Sequence, residues 1–307
     1  MITPGAVVRL PVYSESGAYS VAVEVHGDAH ARRGLLCLPG ILETQKDFQH
    51  LITQLHGTAR IFSADFAGRG QSDHLSSAGN YRMSGCVRDA CALYSYALGV
   101  FAAHIKSPSI QALLPFDLPK IEMPNIHLIG NSMGGLIAIF LAAQRPAYLR
   151  SLVINDVGSL LPWASLIALF SAMGRSSLLP ESLPGLPQGS RQLAKKLQVD
   201  EKLIAAIFQP TYLDLPYRRD IAGLNFQQVF HAIEVPVLII YSTDSPIVTR
   251  AAREAMRMLP PNYSFLEVEG NTHPVAYGGA VTEAIQRFMG KAEKEPISGA
   301  ETEVLIS

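Results

Sequence analysis

One serine between glycines, one late histidine and two carboxylates at strand ends could together perform nucleophilic chemistry in this chain. Ser132 stands in Gly130-Asn131-Ser132-Met133-Gly134, where the apolar segment NIHLIG passes into helical sequence. A serine hydroxyl is a poor nucleophile until a neighbouring base takes its proton. It must also be exposed, and a sharp strand-to-helix turn relieved by small flanking residues exposes it. The base should come last in chain order, beyond a late strand. His273, in EVEGNTHP, meets that requirement. Of the other histidines, His127 lies inside the strand that feeds the turn and reads as packed. His231 precedes a strand and so falls at the wrong end, and His26, His50, His56, His74 and His104 lack the context.

An acid is needed to fix the histidine tautomer and stabilise its charged form. Asp244, in PVLIIYSTDSP, is the favoured residue because it ends the strand preceding the histidine's own. Asp156, in VINDVG, ends the strand after the serine's helix and is the alternative acid. A developing oxyanion needs two backbone N–H donors. Met133, directly after the nucleophile, offers one, and Ile41, in LPGILET after an early buried strand, offers the other.

The elements that must position these groups follow from hydrophobic periodicity. VVRLPVY (7–13) and YSVAVEVHG (19–27) alternate around a Ser/Gly turn and read as an antiparallel hairpin. RGLLCLPG (33–40) is continuously apolar, as a strand buried on both faces would be. Further strands are expected at 59–66, 125–130, 149–157, 236–242 and 263–270, with helices at 47–56, 81–98 and 133–144. This alternation predicts an α/β fold, a mostly parallel central sheet with helices on both faces. Residues 158–234 break it, read as helical throughout and form an expected helical cap inserted into the core. The expected division is a core of residues 1–157 and 235–290, a cap of 158–234 and a flexible tail of 291–307. A Pro-containing connection spans 99–124. Within the cap, Trp163, Leu166 and Phe170 recur at helical spacing and are candidates for the substrate pocket.

Composition narrows the classes of function. A hydrophobic fraction of 48% with 17% charged residues describes a globular chain with a sizeable core. The net charge of −1, without blocks of like charge, argues against a nucleic-acid partner. Three cysteines without zinc spacing read as reduced thiols, and no basic-then-apolar leader or transmembrane segment is visible. A cytoplasmic location is therefore expected. No metal and no organic cofactor is called for. The partners implied are a small-molecule acyl substrate and water.

With nucleophile, acid, base and oxyanion loop in this order, the chain resembles the α/β-hydrolase superfamily over about residues 5–290, specifically its cap-bearing, single-domain bacterial serine hydrolases. The resemblance rests on LCLPGILETQKDF, DFAGRGQSD, GNSMGG, LVINDVG, STDSPIV and GNTHP. Leu38-Pro39-Gly40 stands where many relatives carry His-Gly before the oxyanion donor, and Tyr241 replaces a common glycine. Relatives that dehalogenate or open epoxides place Asp at the nucleophile position, so Ser132 implies acyl chemistry. That chemistry covers an ester, thioester or lactone with an apolar acyl group, or a C–C bond cleaved hydrolytically. An acyltransferase, lyase or perhydrolase on the same triad, or a degenerate ligand-binding member, are the alternatives the resemblance leaves open.

Overall fold

The computed structural model describes residues 5–105, 124–176 and 194–294 of the chain. β1 (Ala6–Ser14) and β2 (Gly17–Gly27) form the anticipated antiparallel hairpin. β3 (Arg33–Leu38), β4 (Arg60–Asp65), β5 (Asn125–Asn131) and β6 (Leu149–Asn155) follow. After β7 (Leu160–Pro162), β8 (Arg218–Arg219) and β9 (Gly223–Asn225) come β10 (Val237–Ser242) and β11 (Tyr263–Val268). The main sheet has the order β1-β2-β4-β3-β5-β6-β10-β11, and every pairing from β4 to β11 is parallel.

Side-chain alternation along the strands splits the core into two layers. Leu36, Leu38, Phe62, Leu128 and Ile154 pack with Ala90, Leu93 and Ile137 of the helices Met83–Ile105 and Met133–Ala142. Leu35, Cys37, Ile61, Ile129 and Ile240 face the other way, onto Leu51 and Ile52 of Gln49–Leu55 and onto Ile285 and Met289 of Gly279–Ala292. Both faces are covered, which is why β3 and β5 carry unbroken apolar runs.

Two expectations need correction. The segment 158–234, inserted between β6 and β10, is not helical throughout. Its β7, β9 and β8 make a small antiparallel sheet; the helix Trp163–Ser176 packs against it, and the helix Glu201–Ile207 packs against the turn Ala78–Asn80. Strands of two or three residues are too short to show a period-2 pattern, so helical periodicity dominates that stretch of sequence. Residues 291–294, expected to belong to a flexible tail, are held in the fold. The last helix continues to Ala292, and Glu293 is fixed by Arg33, whose Nε and guanidinium nitrogen donate at 2.6 and 2.8 Å, and by His127 at 3.2 Å. Residues 295–307, and the part of the 99–124 connection at 106–123, lie outside the described residues. Residues 99–105 continue the helix begun at Met83.

His127 is fully buried in β5, with Nδ1 also 2.7 Å from the Ser151 hydroxyl, and so is packed as the sequence suggests. Burial pushes the carboxyl pKa of Glu293 up, but its bonds with Arg33 and His127 outweigh this and leave it at about 2. The ordinary value is 4.5. A folded-state pKa below the unfolded one contributes stability above the unfolded value, and the contribution fades as pH falls through the folded value. Glu293→Gln is therefore expected to lower the melting temperature at pH 7 by roughly 2–4 °C, the shift produced by about 1 kcal/mol in a domain of this size, with the pair discounted for solvent screening. The difference from wild type should shrink between pH 4.5 and 2. A gap that stays constant over that range in thermal melts would refute the assignment.

Candidate active site

The turn at the end of β5 is held in a conformation few residues tolerate. Ser132 has φ 49° and ψ −115°, the positive-φ region that costs an L-residue energy and persists only where the surroundings enforce it. Gly130 and Gly134 permit the turn. A Cβ on Gly130 would lie 2.4 Å from the Gly134 backbone, and one on Gly134 would lie 2.1 Å from the Leu38 carbonyl. The Ser132 N–H donates to the Asn155 carbonyl at 2.7 Å, which ties the turn to the end of β6. Only 8% of Ser132 is solvent-accessible.

His273 stands on the loop beyond β11, with Nε2 2.8 Å from Ser132 Oγ. Its Nδ1 lies 2.7 Å from Oδ2 of Asp156, not from Asp244. This corrects the favoured acid. Asp244 is exposed, and its backbone N–H donates to the Gly270 carbonyl at 2.9 Å. Asp156 is fully buried, with φ 60°, a conformation Asp adopts more readily than most residues. That backbone turns its carboxylate across the C-terminal end of β10 towards the histidine loop. β6 lies directly beside β5, whereas β10 is one strand further out. The segment STDSP still contributes, one residue along: Ser245 Oγ donates to Asp156 Oδ2 at 3.0 Å and accepts from the Ile247 and Val248 N–H groups.

Two asparagines that sequence reasoning passed over position the loops. Asn155 donates to the Val275 carbonyl at 2.8 Å and accepts the Val275 N–H at 3.0 Å, pinning the histidine loop to the strand that carries Asp156. Asn131 accepts the Tyr277 hydroxyl at 2.5 Å and donates to Glu43 Oε2 at 3.0 Å. The same Glu43 oxygen accepts the Gly40 N–H at 2.7 Å. Burial raises the Glu43 pKa, while the two donors oppose that shift. The loop bearing Ile41, the serine turn and the histidine loop are thus joined through three side chains. A polar residue at the last position of each of two buried strands, in IGN and VIN, was the available signal.

Ile41 follows Gly40 on the loop after β3, and Met133 opens the helix after Ser132. Among the described residues, neither backbone N–H has an acceptor. The motif DFAGRGQS is a structural turn. Asp65 accepts the Gln45 and Gln71 N–H groups at 2.7 and 2.9 Å, and Ser72 donates to the Asp65 carbonyl. Of the proposed pocket residues, Trp163 is 39% exposed, with Nε1 donating to the Asp220 carbonyl at 3.0 Å. Leu166 is half-buried against the core, and the side chain of Phe170 lies outside the described residues. Cys37 and Cys86 are buried and Cys91 is half-buried, all three as free thiols. No helix among the described residues is long and apolar enough to cross a membrane.

Comparison with known proteins identifies the fold and the family. The chain is 26% identical over 284 residues to a 3-hydroxybutyrate-oligomer hydrolase of Cupriavidus necator, covering 85% of this chain and 89% of that protein. Among solved structures, an alpha/beta hydrolase from Novosphingobium aromaticivorans superposes with a TM-score of 0.65 at 19% identity, over 94% of this chain and 99% of the other. A thermophilic esterase from Thermogutta terrifontis gives 0.64 at 18% identity, over 94% and 99%. Residues 35–283 match the model of the alpha/beta hydrolase family, and the chain belongs to that family.

Proposed function

We propose that the protein is a serine hydrolase that cleaves a carboxylic ester of a small, largely apolar acyl group through an acyl-enzyme. The observation that carries this reading is the unbroken relay from Ser132 Oγ to His273 at 2.8 Å and from His273 to Asp156 at 2.7 Å. His273 removes the Ser132 proton as the hydroxyl attacks the carbonyl carbon. Asp156 holds the imidazole and stabilises the imidazolium. The Ile41 and Met133 N–H groups receive the oxyanion. His273 then protonates the leaving alcohol and activates water to release the acid. The strained turn and the three-loop network favour this reading over a ligand-binding role, since both keep Ser132 aligned with its base.

Within the ester class, the similarity to a 3-hydroxybutyrate-oligomer hydrolase favours short hydroxyacid esters. The test is a panel of p-nitrophenyl esters from acetate to octanoate alongside linear 3-hydroxybutyrate dimer and trimer, followed by acid release. Turnover is expected on the short members without added metal. Absence of turnover on every ester, with the protein folded, would reject the reading.

A further inference from the structure

Among the described residues Arg69 is the largest fully buried side chain, yet no carboxylate among them hydrogen-bonds to it. Its Nε donates to the Ile41 carbonyl at 3.0 Å. One terminal nitrogen donates to the Ala67 carbonyl at 3.1 Å, and the other to the Tyr212 hydroxyl at 3.1 Å and towards the Met133 sulfur at 3.8 Å. The Tyr212 hydroxyl also reaches that sulfur, at 3.3 Å. The nearby carboxylate of Asp89 is engaged elsewhere, by the Ala67 N–H and the Tyr19 hydroxyl. Asp65 and Asp89 act on its charge through space, but every hydrogen bond it makes goes to a neutral acceptor, and such dipoles replace hydration only in part. The two residues it touches towards the site are the two whose backbone N–H groups the proposed mechanism assigns to the oxyanion.

We propose that Arg69 is a positioning residue for the acyl-transfer step. It clamps Ile41 and Met133 so that their N–H groups converge, and it brings a positive charge up to both donors. That charge, offset at longer range by Asp65 and Asp89, gains a further anionic partner when the carbonyl oxygen becomes an oxyanion. Such an interaction favours the transition state over bound substrate. Tyr212, from the segment inserted between β6 and β10, couples that insert to the clamp. The inference rests on the serine-hydrolase reading.

The test compares two inhibitors. Ser132 adds to an alkyl trifluoromethyl ketone, its proton passes to His273, and the product is a hemiketal alkoxide; the matching secondary alcohol binds without reacting. In Arg69→Gln, affinity for the ketone is expected to fall about 30–100-fold, somewhat less than the roughly 10²–10³-fold cost of deleting an oxyanion donor. The alcohol affinity and the ester KM should stay within about threefold, with kcat falling in step with the ketone. Arg69→Lys, which keeps the charge without the fork, should recover part of the loss. A folded Arg69→Gln whose ketone-to-alcohol preference matches wild type overturns the proposal. If Arg69→Gln does not fold, Tyr212→Phe decides: roughly fivefold weaker ketone binding supports the clamp, and unchanged binding overturns it. Failure of the underlying reading looks different, because the ketone would then bind wild type and Ser132→Ala equally.

Discussion

Asp156→Asn is expected to lower kcat by about 10⁴-fold, whereas Asp244→Asn leaves it within about twofold. The carboxylate of Asp156 accepts from His273 Nδ1 at 2.7 Å and is wholly shielded from water. An asparagine keeps the shape but can present its amide NH₂ to Nδ1, which favours the imidazole tautomer with its proton on Nε2. That proton then points at Ser132 Oγ, and the base can no longer accept one. Ser245 donates to the same Oδ2, so its hydroxyl must release that bond when the amide nitrogen takes the position. Asp244 is exposed on the far side of the same turn, where loss of charge touches no reacting group. Ester kinetics on the two variants, with circular dichroism to confirm folding, check the pair. A collapse in Asp244→Asn with activity retained in Asp156→Asn would reverse the assignment.

Local sequence does not separate the two aspartates. Both aspartates follow buried strands, and chain order alone places the acid anywhere between the serine and the histidine. The choice is made by a backbone angle at Asp156 and by which strand neighbours β5, neither of which a local pattern encodes. The sheet itself was legible. RGLLCL, NIHLIG and LRSLVIN are apolar without interruption because both of their faces are covered, and that composition is readable residue by residue. Ser132 and His273 were legible for a related reason, since each sits where a strand ends and glycine loosens the chain. The inserted segment was less so. Its strands are two or three residues long and are defined by pairings between Leu160–Pro162, Gly223–Asn225 and Arg218–Arg219, distant in sequence. Asn131, Asn155 and Glu43 were missed because each makes a hydrogen bond to a loop remote in the chain. Asn131 lies 146 positions from Tyr277, its partner across the site.

Ser132→Ala is expected to have the larger effect still, a loss of roughly 10⁶-fold in kcat with ester binding little changed. Without the hydroxyl, no covalent intermediate can form, and His273 can activate only a water placed less favourably than Oγ. Replacing His273 as well should add little, because nucleophile and base act as one unit and removing either already disables both. Small residual turnover in both variants would reflect binding and the backbone donors alone. An additive loss in the double variant would mean that His273 and Ser132 work in separate steps.

The most direct measurement is the mass of the enzyme during turnover. Mixed with excess p-nitrophenyl butyrate and quenched in acid at steady state, the protein should carry one butyryl group, and peptide mapping should locate it on Ser132. The adduct should be absent from Ser132→Ala. Butyryl transfer to another residue, or steady turnover of the ester by Ser132→Ala at the wild-type rate, would contradict the account.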